Sequence, residues 1–200
     1  MKNIIAVIGS YRKNGVSDQV VAEILAGAEE AGANVRCVFL RDVDIQFCDN
    51  CRSCMQKPGD EPGKCVINDA MTELMEACIN ADGIVLASSI NAGAVTATFK
   101  RFIERFSPLA YWPFGTPAPK MRKGIRQKSA ILVISSAAPA FVWKLGGFTA
   151  EKTMRSTAKM LNAKPIRTLK YGMMSQKQHP TLSEAQRAKA RNYGRQMASR

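Results

Sequence analysis

The chain has 200 residues, 46% of them hydrophobic, and a net charge of +13, which is enough material for one domain with a full core. No apolar stretch approaches the roughly 20 residues of a membrane-spanning helix, and the N-terminus lacks the long apolar segment of a signal peptide, so a cytoplasmic protein without a membrane span is expected. The charge is lopsided: between Pro117 and Arg200 stand 18 Lys or Arg against only Glu151 and Glu184, so that part carries +16 and the first 116 residues carry −3. This is either a solvated surface or a docking face for something acidic. A phosphorylated cofactor or an acidic electron-transfer protein fits better than nucleic acid, for which no recognised binding motif is present.

The first predicted strand, Asn3–Ile8, breaks into Gly9-Ser10-Tyr11-Arg12-Lys13-Asn14-Gly15-Val16-Ser17 before a predicted helix, Ser17–Ala31. A buried strand that delivers the chain to small, hydroxyl-bearing and cationic residues at a helix N-terminus makes a natural anion site. The loop has neither G-x-G-x-x-G nor the Gly-Lys-Ser/Thr ending of a P-loop. Its neutral donors and Arg12 suit a terminal monophosphate better than a pyrophosphate. The alternative is an ordinary turn in which Gly15 relieves the backbone and Ser17 caps the helix.

The second strand is predicted over Asn34–Leu40, and after it the segment Gln46–Asn68 interrupts the rhythm with Cys48, Cys51, Cys54 and Cys65, spaced C-x2-C-x2-C-x10-C. In a reducing compartment this spacing favours metal over disulfides. Tight Cys-x2-Cys-x2-Cys runs are a feature of iron-sulfur ligation, whereas zinc favours two separated pairs. The other reading is a loop of reduced, redox-labile thiols that holds nothing. Cys37 and Cys78 read as core residues.

Helix Ala70–Ala81, strand Gly83–Ser88 and helix Ala94–Phe106 follow, then a second interruption, Ser107–Lys128, in which Tyr111, Trp112, Pro113 and Phe114 cluster. This aromatic loop is either a lid or oligomer contact, or padding for a satellite core. Strand Ser129–Ser136, helix Thr149–Leu161, strand Ile166–Tyr171 and helix Ser183–Met197 complete the chain. The expected fold is α/β: a doubly wound five-stranded parallel sheet, order 2-1-3-4-5, with a cysteine-rich insertion after strand two. That topology brings Gly9–Ser17, Ser88–Gly93 and Ser135–Ala140 to one rim, a pocket for a phosphorylated flat ligand. The single histidine, His179, lies in a polar loop and reads as a surface residue.

Together, Gly9-Ser10-x-Arg12-Lys13-Asn14-Gly15-x-Ser17, the cysteine cluster running into Asp69 and Met71, Ala81-Asp82-Gly83-Ile84-Val85 and the segment Ser88 to Arg105 resemble the NADPH-dependent FMN reductase family of flavodoxin-like proteins. Within it the cysteines look most like those of the iron-sulfur flavoproteins. The resemblance implies a single flavodoxin-like FMN-binding domain over 1–200, with NAD(P)H as co-substrate and a quinone, flavin or similar small molecule as acceptor. It also implies a homodimer or homotetramer. If the iron-sulfur branch is the model, it implies instead an electron carrier between FMN, a 4Fe-4S cluster and protein partners. Carried over by position, Ser10, Arg12, Asn14, Gly15, Val16 and Ser17 would take the FMN phosphate. Ser88, Ser89, Ile90, Asn91, Ala92 and Gly93 would lie along the ribityl chain and one edge of the ring, and Ser135 and Ser136 would approach the other edge. Cys48, Cys51, Cys54 and Cys65 would hold the cluster, and no acid-base catalyst is implied, because hydride chemistry belongs to the flavin. The chain departs from the family in having Ser89 and Asn91 where a Pro and an aromatic are usual, and in the long spacing to Cys65. Tyr111, Trp112 or Trp143 would then supply the missing ring.

Overall fold

Five parallel strands order the molecule. A computed structural model describes residues 1–139, 141–145, 148–176 and 178–200; Ala140, at the end of the third predicted rim loop, lies outside the described residues. The elements are β1 (Asn3–Gly9), α1 (Val16–Glu30), β2 (Asn34–Phe39), α2 (Met71–Asn80), β3 (Gly83–Asn91), α3 (Ala97–Glu104), β4 (Lys128–Ser135), α4 (Ala150–Met160), β5 (Ala163–Tyr171) and α5 (Glu184–Ala198). The strands lie in the order β2-β1-β3-β4-β5, all parallel. This is the predicted flavodoxin-like order, and each strand is joined to the next in sequence through a helix, as parallel geometry demands. No helix among the described residues is long and apolar enough to cross a membrane.

The central strands read as unbroken apolar runs because helices cover both of their faces. On one face Ile4, Ala6, Ile8, Val85 and Val133 pack with α1 and α5. On the other Ile5, Val7, Leu86 and Leu132 pack with α2, α3 and α4, including Phe99 and Phe102 of α3, and with Phe106 just beyond it. Helices α1 and α5 touch backbone to backbone: a Cβ on Gly194 would stand 1.9 Å from the Ile24 carbonyl oxygen. Arg187, Arg191 and Arg195 of α5 reach across this contact to Glu23 and Glu30, so part of the C-terminal basicity is neutralised inside the fold.

Two local expectations fail. Helix α3 starts at Ala97, not Ala94, because β3 runs on to Asn91 and turns back through Ala92 and Gly93, with φ of 47° and 78°. Ala94–Val95 then pairs antiparallel with Ile90–Asn91. Two successive left-handed residues are what a two-residue hairpin turn requires, so most of the predicted loop Ser88–Gly93 is strand. Cys37 is exposed, because β2 is the edge of the sheet, while Cys78 is fully buried in α2 as expected.

Candidate functional site

At the carboxyl edge of the sheet the loops after β1 and β4, with the last residues of β3, enclose a cavity of about 280 Å³. Ten of the residues singled out from sequence line it: Ser10, Arg12, Gly15, Val16, Ser17, Ser89, Ile90, Asn91, Ser135 and Ser136. Ser17 and Ser135 share a hydrogen bond of 3.0 Å between hydroxyls, which joins the first loop to the third. Ser17 does not cap α1. The N-cap is Gly15, and no side chain caps this terminus, so the N–H groups of the first helical turn have no intrahelical partner and face the cavity end of the helix.

Asn14, Ser88, Ala92 and Gly93 do not line the cavity. Asn14 has φ of 58° and serves as the turn of the first loop, its N–H donating to Asp18 Oδ2 at 2.9 Å. Ser88 is fully buried, its Oγ accepting from the Thr96 N–H. Thr96, the N-cap of α3, also donates its hydroxyl to the Gly9 carbonyl. The loop after β1 and the end of β3 are therefore held from beneath through the Ser88 and Thr96 hydroxyls, and the left-handed pair Ala92-Gly93 acts through the hairpin.

Residues that the pattern did not reveal complete the site. Met174, Ser175 and Pro180 from the loop after β5 form one wall. That loop is tied to its neighbour through Met174 N–H to Ser136 O and Met173 N–H to Ala138 O. Gln19 of α1 fixes it from the other side, donating to Pro180 O and accepting from Leu182 N–H. Arg41, just beyond β2, clamps the first loop. It donates to Asp18 at 2.8 and 3.2 Å and to the Ser10 carbonyl at 3.1 Å. No spacing rule signals a residue 31 positions away in sequence; the one readable hint was a cation directly after the edge strand. Of the aromatics offered as a missing ring, Trp143 lies at the site, donating its indole N–H to Ser136 Oγ at 2.9 Å. Trp112 packs elsewhere, and His179 is exposed.

The cysteine segment lies between β2 and α2 and is packed against the aromatic loop. Cys54, Met55 and Ala110 form a small apolar cluster that Trp112 covers, so the loop pads this satellite core. Arg52 is stacked over the rings of Trp112 and Phe114 at 4.1 and 4.8 Å. Arg122, 7% exposed, gathers the carbonyls of Cys54, Lys57, Gly59 and Pro108. The crossing is tight enough that a Cβ on Gly63 would stand 1.8 Å from the Cys54 carbonyl oxygen.

Cys48, Cys51, Cys54 and Cys65 all line one cleft together with Arg105, and none is in a disulfide. Burial pushes the Cys54 thiol up to about 11, with Cys65, Cys48 and Cys51 adding to the rise. Cys51, by contrast, is held below the usual thiol range by hydrogen bonds from Ser53. Among the described residues no three His, Cys, Asp or Glu side chains are gathered closely enough to hold a single metal ion. Asp69 and Arg105 form a nearly sealed ion pair beneath the cleft, their side chains 2% and 1% exposed. Burial alone would raise the Asp69 carboxyl, but Arg105 and the N–H groups of Gln46 and Met71 bring it below the ordinary carboxylate value.

The parallel sheet in this order, with a cavity built from the loops at its carboxyl edge, defines a flavodoxin-like α/β protein. The family model for NADPH-dependent FMN reductases matches residues 2–178, and the chain belongs to that family. It is similar to an iron-sulfur flavoprotein of Archaeoglobus fulgidus, 32% identical over 109 residues, which is 54% of this chain and 47% of the relative. It is also similar to one of Methanocaldococcus jannaschii, 33% identical over 106 residues, 53% of this chain and 52% of the relative. The chain therefore spans about half the length of the curated relatives it matches. Among solved structures, an NAD(P)H:quinone oxidoreductase from Methanothermobacter marburgensis superposes with a TM-score of 0.68 over 97% of this chain and 98% of its own, at 16% identity.

Proposed function

We propose that residues 1–200 form a single FMN-binding domain that acts as an NAD(P)H-dependent oxidoreductase, delivering electrons to a quinone, flavin or similar small acceptor. The observation that carries this reading is the 280 Å³ cavity at the rim of the sheet, whose one end is the uncapped N-terminus of α1. N–H groups without an intrahelical partner, the positive end of the helix and the Arg12 guanidinium favour a phosphate there. The buried hydroxyls of Ser10 and Ser17 add donors without adding charge. Ser89, Ile90 and Asn91 at the end of β3 and Ser135 and Ser136 at the end of β4 stand side by side along the cavity, where they would line the path of a flat polar ring. Bound FMN would supply the hydride and electron chemistry; the chain itself binds, orients and polarises. A homodimer or homotetramer belongs to the same reading, since Phe141 and Met173, on the loops after β4 and β5, leave apolar side chains 69% and 42% exposed.

A second reading, an electron carrier with a 4Fe-4S cluster, is favoured by the cysteine cleft. Bound there, such a cluster would be held by cysteine thiolates and would supply one-electron transfer. Cys48, Cys51, Cys54 and Cys65 supply an all-thiol donor set around one cleft, and the relatives above are named iron-sulfur flavoproteins.

Anaerobic purification followed by gel filtration tests both readings. FMN absorbance that co-elutes with the chain and fast NADPH oxidation are expected under the first reading. Iron and acid-labile sulfide near four per chain, with slow nicotinamide oxidation, are expected under the second. Failure to retain or rebind FMN would sink the first.

A further inference from the structure

We propose that Arg105 is a positioning residue for the iron-sulfur cluster: its N–H···S hydrogen bond fixes the sulfur of Cys65 and raises the cluster's reduction potential. The proposal rests on the reading of the four cysteines as cluster ligands. Arg105 caps the C-terminus of α3, and its guanidinium faces into the cysteine segment. One terminal nitrogen donates to Cys65 Sγ at 3.7 Å, within reach of a hydrogen bond to sulfur, and to Asp69 Oδ1 at 3.0 Å. The other donates to Asp69 Oδ2 and to the Gln46 carbonyl at 2.9 Å.

The same side chain thus touches the segment two residues before the first cysteine, at the last cysteine itself and four residues beyond it. Asp69 completes the frame, accepting from the Gln46 N–H at 2.7 Å and from the Met71 N–H at 3.0 Å. A buried arginine needs one carboxylate for neutrality, and Asp69 already provides it. Its further bond to a thiol sulfur is a directed one, held by a planar fork that cannot swing away. At the other end of the segment the Asn50 N–H points at Cys48 Sγ at 3.4 Å.

Donors aimed at cluster sulfurs stabilise the more negative, reduced form, and this is one of the means by which a protein sets the potential. Because Asp69 cancels the net charge of Arg105, the effect is carried by the directed bond. Removing that bond lowers the potential even when charge is conserved.

The experiment is an EPR-monitored redox titration of the anaerobically purified holoprotein, with iron, sulfide and FMN counted per chain. Two variants are used. R105K keeps a cation beside Asp69 but lacks the fork, and the double variant D69N/R105Q replaces the buried ion pair with a neutral one, avoiding a lone buried charge. With iron retained, both variants are expected to show at least a roughly tenfold lower ratio of reduced to oxidised cluster at a fixed potential, which is about 59 mV for a one-electron couple. FMN content is expected to stay at the wild-type level. A full cluster with an unchanged midpoint in both variants overturns the role of Arg105 and leaves the cluster reading standing. Wild-type protein that carries FMN but neither iron nor sulfide overturns the cluster reading and this inference together.

Discussion

Substituting Arg41 by Met is expected to destabilise the protein and loosen its cavity in one stroke. The guanidinium is 11% exposed and the Asp18 carboxylate 9%, with the closest approach 2.8 Å. Removing one partner of a buried pair costs about 3–5 kcal/mol, because the other charge is left desolvated. Asp18 keeps the Asn14 N–H and lies in the first turn of α1, where the helix dipole favours an anion. The loss therefore falls at the low end, about 3 kcal/mol, and the Ser10 carbonyl forfeits a donor worth roughly 1 kcal/mol more. For a chain of this size that is a fall in Tm of about 8–16 °C. Urea and thermal unfolding of the apoprotein measure the stability, and flavin fluorescence titration measures the site. The double variant D18N/R41M removes both charges while the amide oxygen it places at position 18 still accepts from the Asn14 N–H, so it should recover most of the loss, with a coupling energy above about 2 kcal/mol. A coupling below about 0.5 kcal/mol would show that the pair does not shape the loop.

Four other outcomes are expected. Arg12→Ala weakens FMN binding by about 1.5–3 kcal/mol, the worth of a charge-assisted hydrogen bond, and an unchanged titration would refute the phosphate assignment. Cys51→Ser abolishes bound iron and leaves FMN in place; unaltered iron content would count against the cleft as a cluster site. Gly194→Ala pushes α1 and α5 apart, because the new Cβ meets the Ile24 carbonyl at 1.9 Å, and lowers stability by about 1–3 kcal/mol in chemical denaturation. Lys128, 5% exposed, caps the C-terminus of α2 through the Cys78 and Ile79 carbonyls, and burial lowers its pKa from 10.5 to about 8. Between those values the unfolded chain binds the proton and the folded chain does not, so stability rises with pH. Relative to Lys128→Met, the wild type should gain up to roughly 3 kcal/mol from pH 8 to 10.5, and a flat difference across that window would refute the buried position.

Much of the architecture was legible in the residues alone. The apolar runs at Asn3, Gly83 and Lys128 are strands because only a strand covered on both faces buries every side chain in succession. The small and polar residues that end them sit at the carboxyl rim, since parallel strands all finish on the same side. Periodicity also located α1 and α5, but not the start of α3, where Ala94 and Val95 follow helical spacing and are nevertheless taken into a hairpin. The turn at Ala92-Gly93 outweighed a weak local preference, and an Ala with positive φ gives no warning in the sequence.

What the chain itself determined is the alternation of strands and helices, which as five βα units fits one doubly wound order, together with the loop that begins at Ser10 and the four cysteines in one segment, because these follow from periodicity, turn chemistry and spacing over short distances. Only the tertiary structure decided that Arg41 grips Ser10 and Asp18, that the loop carrying Met174 walls the cavity, that the aromatic loop covers the cysteines and not the cavity, and that Arg105 reaches Cys65. Those partners are distant in sequence and meet only when the sheet has stacked its helices. Their geometry is set by packing, which no local pattern records.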